Sequence, residues 1–344
     1  MNIQELVRDN IKSLQPYSSA RDEFKNASSD MVFIDANENP FNTGLNRYPD
    51  PQQNLVKDEL SKIKGVDKEQ ILLGNGSDEV LDLIFRVFCE PKKDAVIALP
   101  PTYGMYKVLA NTNDIQLMDI PLLESFQPNV EEILNTQNEQ TKILFLCSPN
   151  NPTANSFDAF KVEKLLKNFQ GIVVIDEAYI DFSTKESWLS RLNEFSNLIV
   201  TQTLSKAYGL AGIRLGICYA SQEIISILNK IKPPYNVNQL TQEAALKALQ
   251  DIEKTNQEVG EIIKERTQLI STLEEVELVE KIYHSDANFL LVKVDDANKR
   301  YDQLVEKGIV VRNRSNQVLC ENCLRFTIGT TDENNKLINT LKSL

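Results

Sequence analysis

Lys206 stands in the stretch TLSKAYGLAGIR, between an apolar run, LIVTQTL, and a turn rich in glycine and alanine. A lysine ordinarily lies on a solvated face. Burying its ammonium is costly enough that the group tends to shed its proton, and a neutral amine in such a place can act as a nucleophile. Asp176 closes another apolar run, GIVVID. A carboxylate there is either half of an ion pair or a member of a site. Tyr179 follows Asp176 closely, and Asn151 stands in SPNNPT after a further apolar run, TKILFLC. GNGSDE (residues 74–79) lies between an apolar run and a helical pattern. Gly76 permits a tight turn there, and the N–H groups of Ser77, Asp78 and Glu79 at a helix start can hold a phosphate. The same signal also suits an ordinary strand–helix turn, and it is neither a P-loop nor a dinucleotide fingerprint.

These residues fall at the ends of short, β-branched apolar runs that alternate with helical segments. The alternation predicts an α/β fold, a mostly parallel sheet covered by helices, with ligands at the carboxyl ends of its strands. From about Tyr235 the character changes to one long polar helix, followed by the strand patterns NFLLVKV, GIVVRNR and CLRFTIG with YDQLVEKG as a helix between them. That is a smaller α+β domain. We expect an N-terminal arm over 1–35, a large domain over 36–240 and a small domain over 241–344. Residues 1–30 read as helical and polar, and we expect them to close over the substrate.

Composition narrows the chemistry. The chain has 344 residues, 42% of them hydrophobic and 25% charged, with a net charge of −12. That balance predicts a globular protein with no nucleic-acid partner and no anionic membrane partner, so any phosphate or carboxylate site must be a local positive pocket. Five cysteines without an export signal point to a reducing cytoplasm. Cys320-x-x-Cys323 lacks a second pair or a nearby histidine, and reads as structural rather than as half of a zinc ribbon. His284 is the only histidine. This disfavours catalytic triads and multi-histidine metal sites, and no metal is expected. Acid–base work near neutrality then falls to a lysine, a tyrosine or a carboxylate.

The set fits pyridoxal 5'-phosphate. That cofactor needs a lysine for a Schiff base, an acid for its ring nitrogen and ligands for its phosphate. Lys206 is the Schiff-base candidate and Asp176 the partner of the ring nitrogen. Asn151 and Tyr179 would bond the ring hydroxyl oxygen, while Ser77, Asp78, Thr203, Ser205 and Arg214 would hold the phosphate.

SPNNPT, VVIDEAYIDF and TLSKAYGLAGIRLG, in that order, resemble the aspartate aminotransferase superfamily of fold type I. PYSSAR (16–21), DANENPF (35–41), NRYPDPQ (46–52), GNGSDE, PPTYGMY (100–106) and VRNRSNQVLCENCLRFTIGT (311–330) resemble its histidinol-phosphate aminotransferase branch, which shares ground with threonine-phosphate decarboxylases. The resemblance implies a large domain with a mostly parallel seven-stranded sheet and a smaller α+β domain. It implies that Tyr103 stacks on the pyridoxal ring and that Tyr48 reaches the cofactor phosphate of a neighbouring subunit, hence a homodimer with shared active sites. Tyr17, Arg312 and Arg325 match positions that hold the substrate's anionic end, with Asn37 near them. The implied reaction takes glutamate and imidazole acetol phosphate to 2-oxoglutarate and histidinol phosphate, a step of histidine biosynthesis. An aromatic amino acid aminotransferase or a threonine-phosphate decarboxylase is the alternative. One departure stands out: Ala154 occupies a position where the superfamily usually has glycine, so a slightly altered loop is expected there.

Overall fold

The computed structural model describes residues 2–18 and 31–344. Part of PYSSAR and residues 1 and 19–30 of the expected lid lie outside the described residues.

Seven strands form one sheet: β1 (Ile71–Asn75), β2 (Ala95–Ala98), β3 (Gln116–Asp119), β4 (Thr141–Cys147), β5 (Ile172–Asp176), β6 (Leu198–Thr203) and β7 (Leu215–Ala220). They lie in the order β1-β7-β6-β5-β4-β2-β3. The pairs from β3 to β6 are parallel, and β7 alone runs antiparallel to both its neighbours. Strands of such a sheet are covered on both faces, which is why they read as unbroken apolar runs. Along β5, Val173 and Ile175 enter one core while Ile172 and Val174 enter the other. Period-two alternation then carries Asp176 to the face of Ile172 and Val174. Glu177 turns the other way, where Ser187, the Trp188 N–H and Gln202 donate hydrogen bonds to its carboxylate.

The second sheet is antiparallel and four-stranded: β8 (Val279–Ile282), β9 (Phe289–Val294), β10 (Arg312–Asn313) and β11 (Cys323–Thr327), in the order β10-β11-β9-β8. Leu290 and Val292 of β9 pack with Phe326 and the helices Ile252–Leu273 and Thr331–Lys342. Phe289 and Leu291 instead join Ala287 in the core beneath the large sheet. Alternation along one strand thus joins the two sheets and brings β11 to the site.

Two expectations change. The single long helix after Tyr235 is two, Gln239–Gln250 and Ile252–Leu273, because Asp251 leaves helical geometry at φ −113° and ψ 51°. Within the N-terminal segment, residues 2–12 are part of the core rather than a lid. Ile3, Val7 and Ile11 are buried, and Arg8 pairs with Glu90 at 3.0 Å. Cys320 and Cys323 are fully buried core residues, and His284 is exposed with Nε2 3.2 Å from Asp286.

Candidate active site

The carboxyl ends of β4, β5 and β6 bring together Asn151, Asp176, Tyr179 and Lys206. The Lys206 amine lies 5.7 Å from the centre of the Tyr179 ring. Burial is the main reason its pKa falls below that of a free lysine, and Arg325 and Arg214 push the same way. Asn151 is a hub: its Nδ2 donates to the Tyr179 phenol oxygen at 3.5 Å, and its Oδ1 accepts from Arg325 Nη1. Arg325 also lies over the Phe289 ring, which packs edge-on against Tyr179. Tyr179 titrates far above its usual range, chiefly through burial.

Asp176 is 3% exposed and faces no cation within ion-pairing distance among the described residues. Burial raises its pKa, opposed by hydrogen bonds from the Tyr106 hydroxyl to Oδ2 (2.8 Å) and from the Ala178 N–H to Oδ1 (3.2 Å). Tyr106 was missed by sequence reasoning. It is 1% exposed and stacked on Phe145 with ring centres 4.6 Å apart. In sequence it is an ordinary helix aromatic, and no spacing links it to a residue on β5.

The candidate phosphate cradle is built by backbone. The helix Ser77–Phe88 begins after Gly76, which has φ 79° and supplies no side-chain cap, so no capping side chain takes the first N–H groups. The Gly76 N–H donates to the Arg214 carbonyl at 2.8 Å. Arg214 itself adopts φ 56°, and its guanidinium crosses Gly76 so closely that a Cβ there would come within 2.7 Å of Nη2. A Cβ on Gly216 would stand 2.2 Å from the Ser77 nitrogen. Both glycines are needed for the close approach. Thr203 is 6% exposed, and its hydroxyl accepts from the Ser205 N–H and donates to the Leu215 carbonyl. It shapes the turn that presents Ser205. Tyr103 donates to Asp78 at 3.1 Å and meets the Tyr106 ring edge-on.

Ala154 keeps the conformation glycine would take, with φ 66°, fully buried, its N–H on the Asn150 carbonyl and its own carbonyl receiving the Asp286 N–H. The loop is held in the left-handed region despite the methyl group, at a general cost of about 1–2 kcal/mol for an L-residue.

Of the remaining expected residues, Tyr48, Asn37 and Tyr17 stand apart and Arg312 does not. Tyr48 and Asn37 line a separate hollow of about 440 Å³, and Tyr48 is stacked on Tyr235 with centres 4.4 Å apart. Tyr17 is 76% exposed. Arg312 is exposed but pairs across the strands with Arg325.

An amine of lowered pKa, a buried carboxylate with no cation in pairing distance among the described residues, an uncapped helix start beneath a guanidinium and the half-buried ring of Tyr103 form one donor set. It fits pyridoxal phosphate: amine to aldehyde, carboxylate to ring nitrogen, backbone N–H groups and Arg214 to phosphate.

Residues 25–341 match the family model described as aminotransferase class I and II. The chain belongs to the class I and II aminotransferases. Histidinol-phosphate aminotransferase of Flavobacterium johnsoniae is 64% identical over 344 residues, covering 100% of this chain and 99% of that one. The solved histidinol-phosphate aminotransferase of Clostridium acetobutylicum superposes with a TM-score of 0.80 at 24% identity, covering 87% of this chain and 91% of that one. That of Sinorhizobium meliloti, solved in complex with pyridoxal 5'-phosphate, gives 0.79 at 22% identity over 86% and 82%.

Proposed function

We propose that this chain is a pyridoxal-phosphate-dependent aminotransferase that moves an amino group between glutamate and imidazole acetol phosphate, yielding 2-oxoglutarate and histidinol phosphate in histidine biosynthesis. The observation that carries it is the 64% identity over the full chain to the Flavobacterium johnsoniae relative of that name. The threonine-phosphate decarboxylase of Porphyromonas gingivalis is a likeness of fold, at 23% identity and a TM-score of 0.73.

Bound pyridoxal phosphate supplies an electron sink for the negative charge that develops on the amino carbon. Lys206 takes the proton from that carbon and returns it on the other side of the transfer. Burial, with Arg325 and Arg214, lowers its pKa below that of a free lysine, which favours the neutral amine this step needs. Asp176, held by Tyr106 and Ala178, keeps the ring nitrogen protonated. Asn151 and Tyr179 orient the ring hydroxyl. Arg325 and Arg312 receive the carboxylate of glutamate or the phosphate of the other substrate, since a guanidinium fork pairs bidentately with either.

The same reading includes a homodimer with shared sites. Supporting it, Val32, Ile34 and Phe41 are 84%, 91% and 77% exposed, and Tyr48 in the same region is 51% exposed. Such an apolar stretch is more than an isolated chain ordinarily leaves to water. Among the described residues no helix is long and apolar enough to cross a membrane.

The test is the visible spectrum of the purified protein before and after adding histidinol phosphate without a keto acid. A yellow band that bleaches supports the cofactor and the donor together. A band that answers only to threonine phosphate or an aromatic amino acid removes this substrate, and no band after adding pyridoxal phosphate removes the cofactor.

A further inference from the structure

Beside the two arginines already assigned lies a third, Arg314. Arg312 and Arg314 are two residues apart along an extended segment and therefore share a face. Arg312 stands directly across from Arg325, and the Arg314 N–H donates to the Cys323 carbonyl at 2.9 Å, so the ladder continues with Arg314 opposite Cys323. Cys323 and Arg325 share a face of β11 by the same alternation. Three guanidinium-bearing residues are thus set on one side of the β10–β11 pair.

Among the described residues, no carboxylate lies within 4.0 Å of any of the three. The Nε atoms of Arg314 and Arg325 are both buried without a hydrogen-bond partner. Buried guanidinium N–H groups left unpaired are expensive, and three like charges gathered without a counterion are more so. Arg314 shows the strain: burial first, then Arg325 and Arg312, push its pKa down to about 10, while Cys320 and Tyr179 act in the opposite sense. Tyr179, on the cofactor side, feels both Arg325 and Arg314. The arrangement is costly when empty and becomes favourable when an anion of more than one charge enters.

We propose that Arg314 is a specificity-determining residue of the substrate site, which completes a three-arginine pocket matched to a phosphate monoester dianion rather than to a single carboxylate. This rests on the reading of the chain as an aminotransferase for a phosphate ester. A carboxylate carries one charge and one pair of oxygens, which Arg325 and Arg312 suffice to hold. A phosphate monoester carries close to two charges at neutral pH and three acceptor oxygens. The third oxygen and the second charge are what Arg314 recognises.

The experiment compares wild type, Arg314→Gln and Arg314→Lys as holoenzymes, with histidinol phosphate, histidinol and glutamate as amino donors. For Arg314→Gln, kcat/KM with histidinol phosphate is expected to fall roughly 10- to 100-fold through KM, the range of one charge-assisted hydrogen bond. The values for glutamate and histidinol are expected to stay within about threefold. Arg314→Lys keeps the charge without the fork and should lie between. The preference of wild type for the phosphate ester should also rise with pH through about 6, where the ester takes its second charge, and this rise should flatten in Arg314→Gln. Equal losses on all three donors, or an unchanged preference, would overturn the proposal.

A second readout separates the proposal from the functional reading. Inorganic phosphate binding to the holoenzyme is measured by calorimetry, with the cofactor's own phosphate already in place. Wild type that ignores histidinol phosphate sinks the substrate reading. Even then, weaker phosphate binding in Arg314→Gln supports the pocket, and unchanged binding overturns it.

Discussion

Replacing Tyr106 with phenylalanine isolates one hydrogen bond at the centre of the proposed chemistry. Tyr106 is 1% exposed and its ring stacks on Phe145, so the substitution leaves the packing in place and removes one oxygen. What disappears is the 2.8 Å bond from the hydroxyl to Asp176 Oδ2, while the Ala178 N–H still serves Oδ1. A hydrogen bond to a charged group contributes about 1.5–3 kcal/mol, or roughly 10- to 150-fold in an equilibrium constant. The effect depends on pH with a definite sign. Burial raises the folded-state pKa of Asp176 above 3.8, and the Tyr106 bond works against that rise. A carboxyl with a raised pKa contributes stability that is fully present below its unfolded pKa and lost as pH rises through its folded pKa. Tyr106→Phe raises that pKa further and deepens the penalty on the ionised form. Thermal unfolding of the apoprotein should therefore show Tyr106→Phe less stable near pH 8, with the deficit shrinking toward about pH 4. Pyridoxal phosphate affinity should fall by up to the same factor, and the acid limb of the kcat profile should move to higher pH. A deficit equal at every pH would mean that the hydroxyl only fills space, and an unchanged cofactor affinity would remove Tyr106 from the support of Asp176.

Lys206→Ala should abolish the visible band of lysine-bound cofactor and lower turnover by at least the roughly 10²–10⁴-fold of a positioned acid–base group; a spectrum and single-turnover rates close to wild type would refute its role. Because the Lys206 pKa is lowered by burial first and then by Arg325, Arg325→Gln should raise it, shifting the pH dependence of amine labelling in the apoprotein upward. Gly216→Ala drives a methyl group to within 2.2 Å of the Ser77 nitrogen, so the cradle must shift; overpacking of this kind costs about 1–3 kcal/mol, and cofactor titration should show weaker binding. Mixing Tyr48→Phe with Lys206→Ala subunits should restore activity above either parent if sites are shared, and hybrids without any gain would argue for self-contained sites.

The elements of the large sheet were legible because their cause is local. Each strand is an apolar run covered on both faces, and each run ends where polar residues begin, so Asp176 announced itself as a carboxylate closing GIVVID. Lys206 stood out for the same reason, a charge in apolar surroundings. The helix start was visible as GNGSDE and suggested a phosphate site, although the same pattern suits an ordinary strand–helix turn. The antiparallel course of β7 was not legible, since a short apolar run carries no direction. Nor was the break at Asp251, where a helical pattern continues on either side of one residue that leaves the helix. At Ala154 the residue type argued for a changed loop. The hydrogen bonds from the Ala154 N–H to Asn150 and from the Asp286 N–H to its carbonyl hold the left-handed turn regardless.

The sequence by itself determined which residues could carry charge into apolar surroundings and at which strand ends they would appear, because those facts depend on neighbours in the chain. Only the tertiary structure decided which of them meet. Tyr106 reaches Asp176 across 70 positions and Arg325 reaches Asn151 across 174. Arg314 becomes the third member of an arginine pocket only when β10 pairs with β11 and β9 folds its Phe289 face against the large sheet. Short-range patterns of polarity choose strands and helices, whereas burial, register and electrostatic reach arise between segments distant in sequence, and the proposed chemistry depends on those.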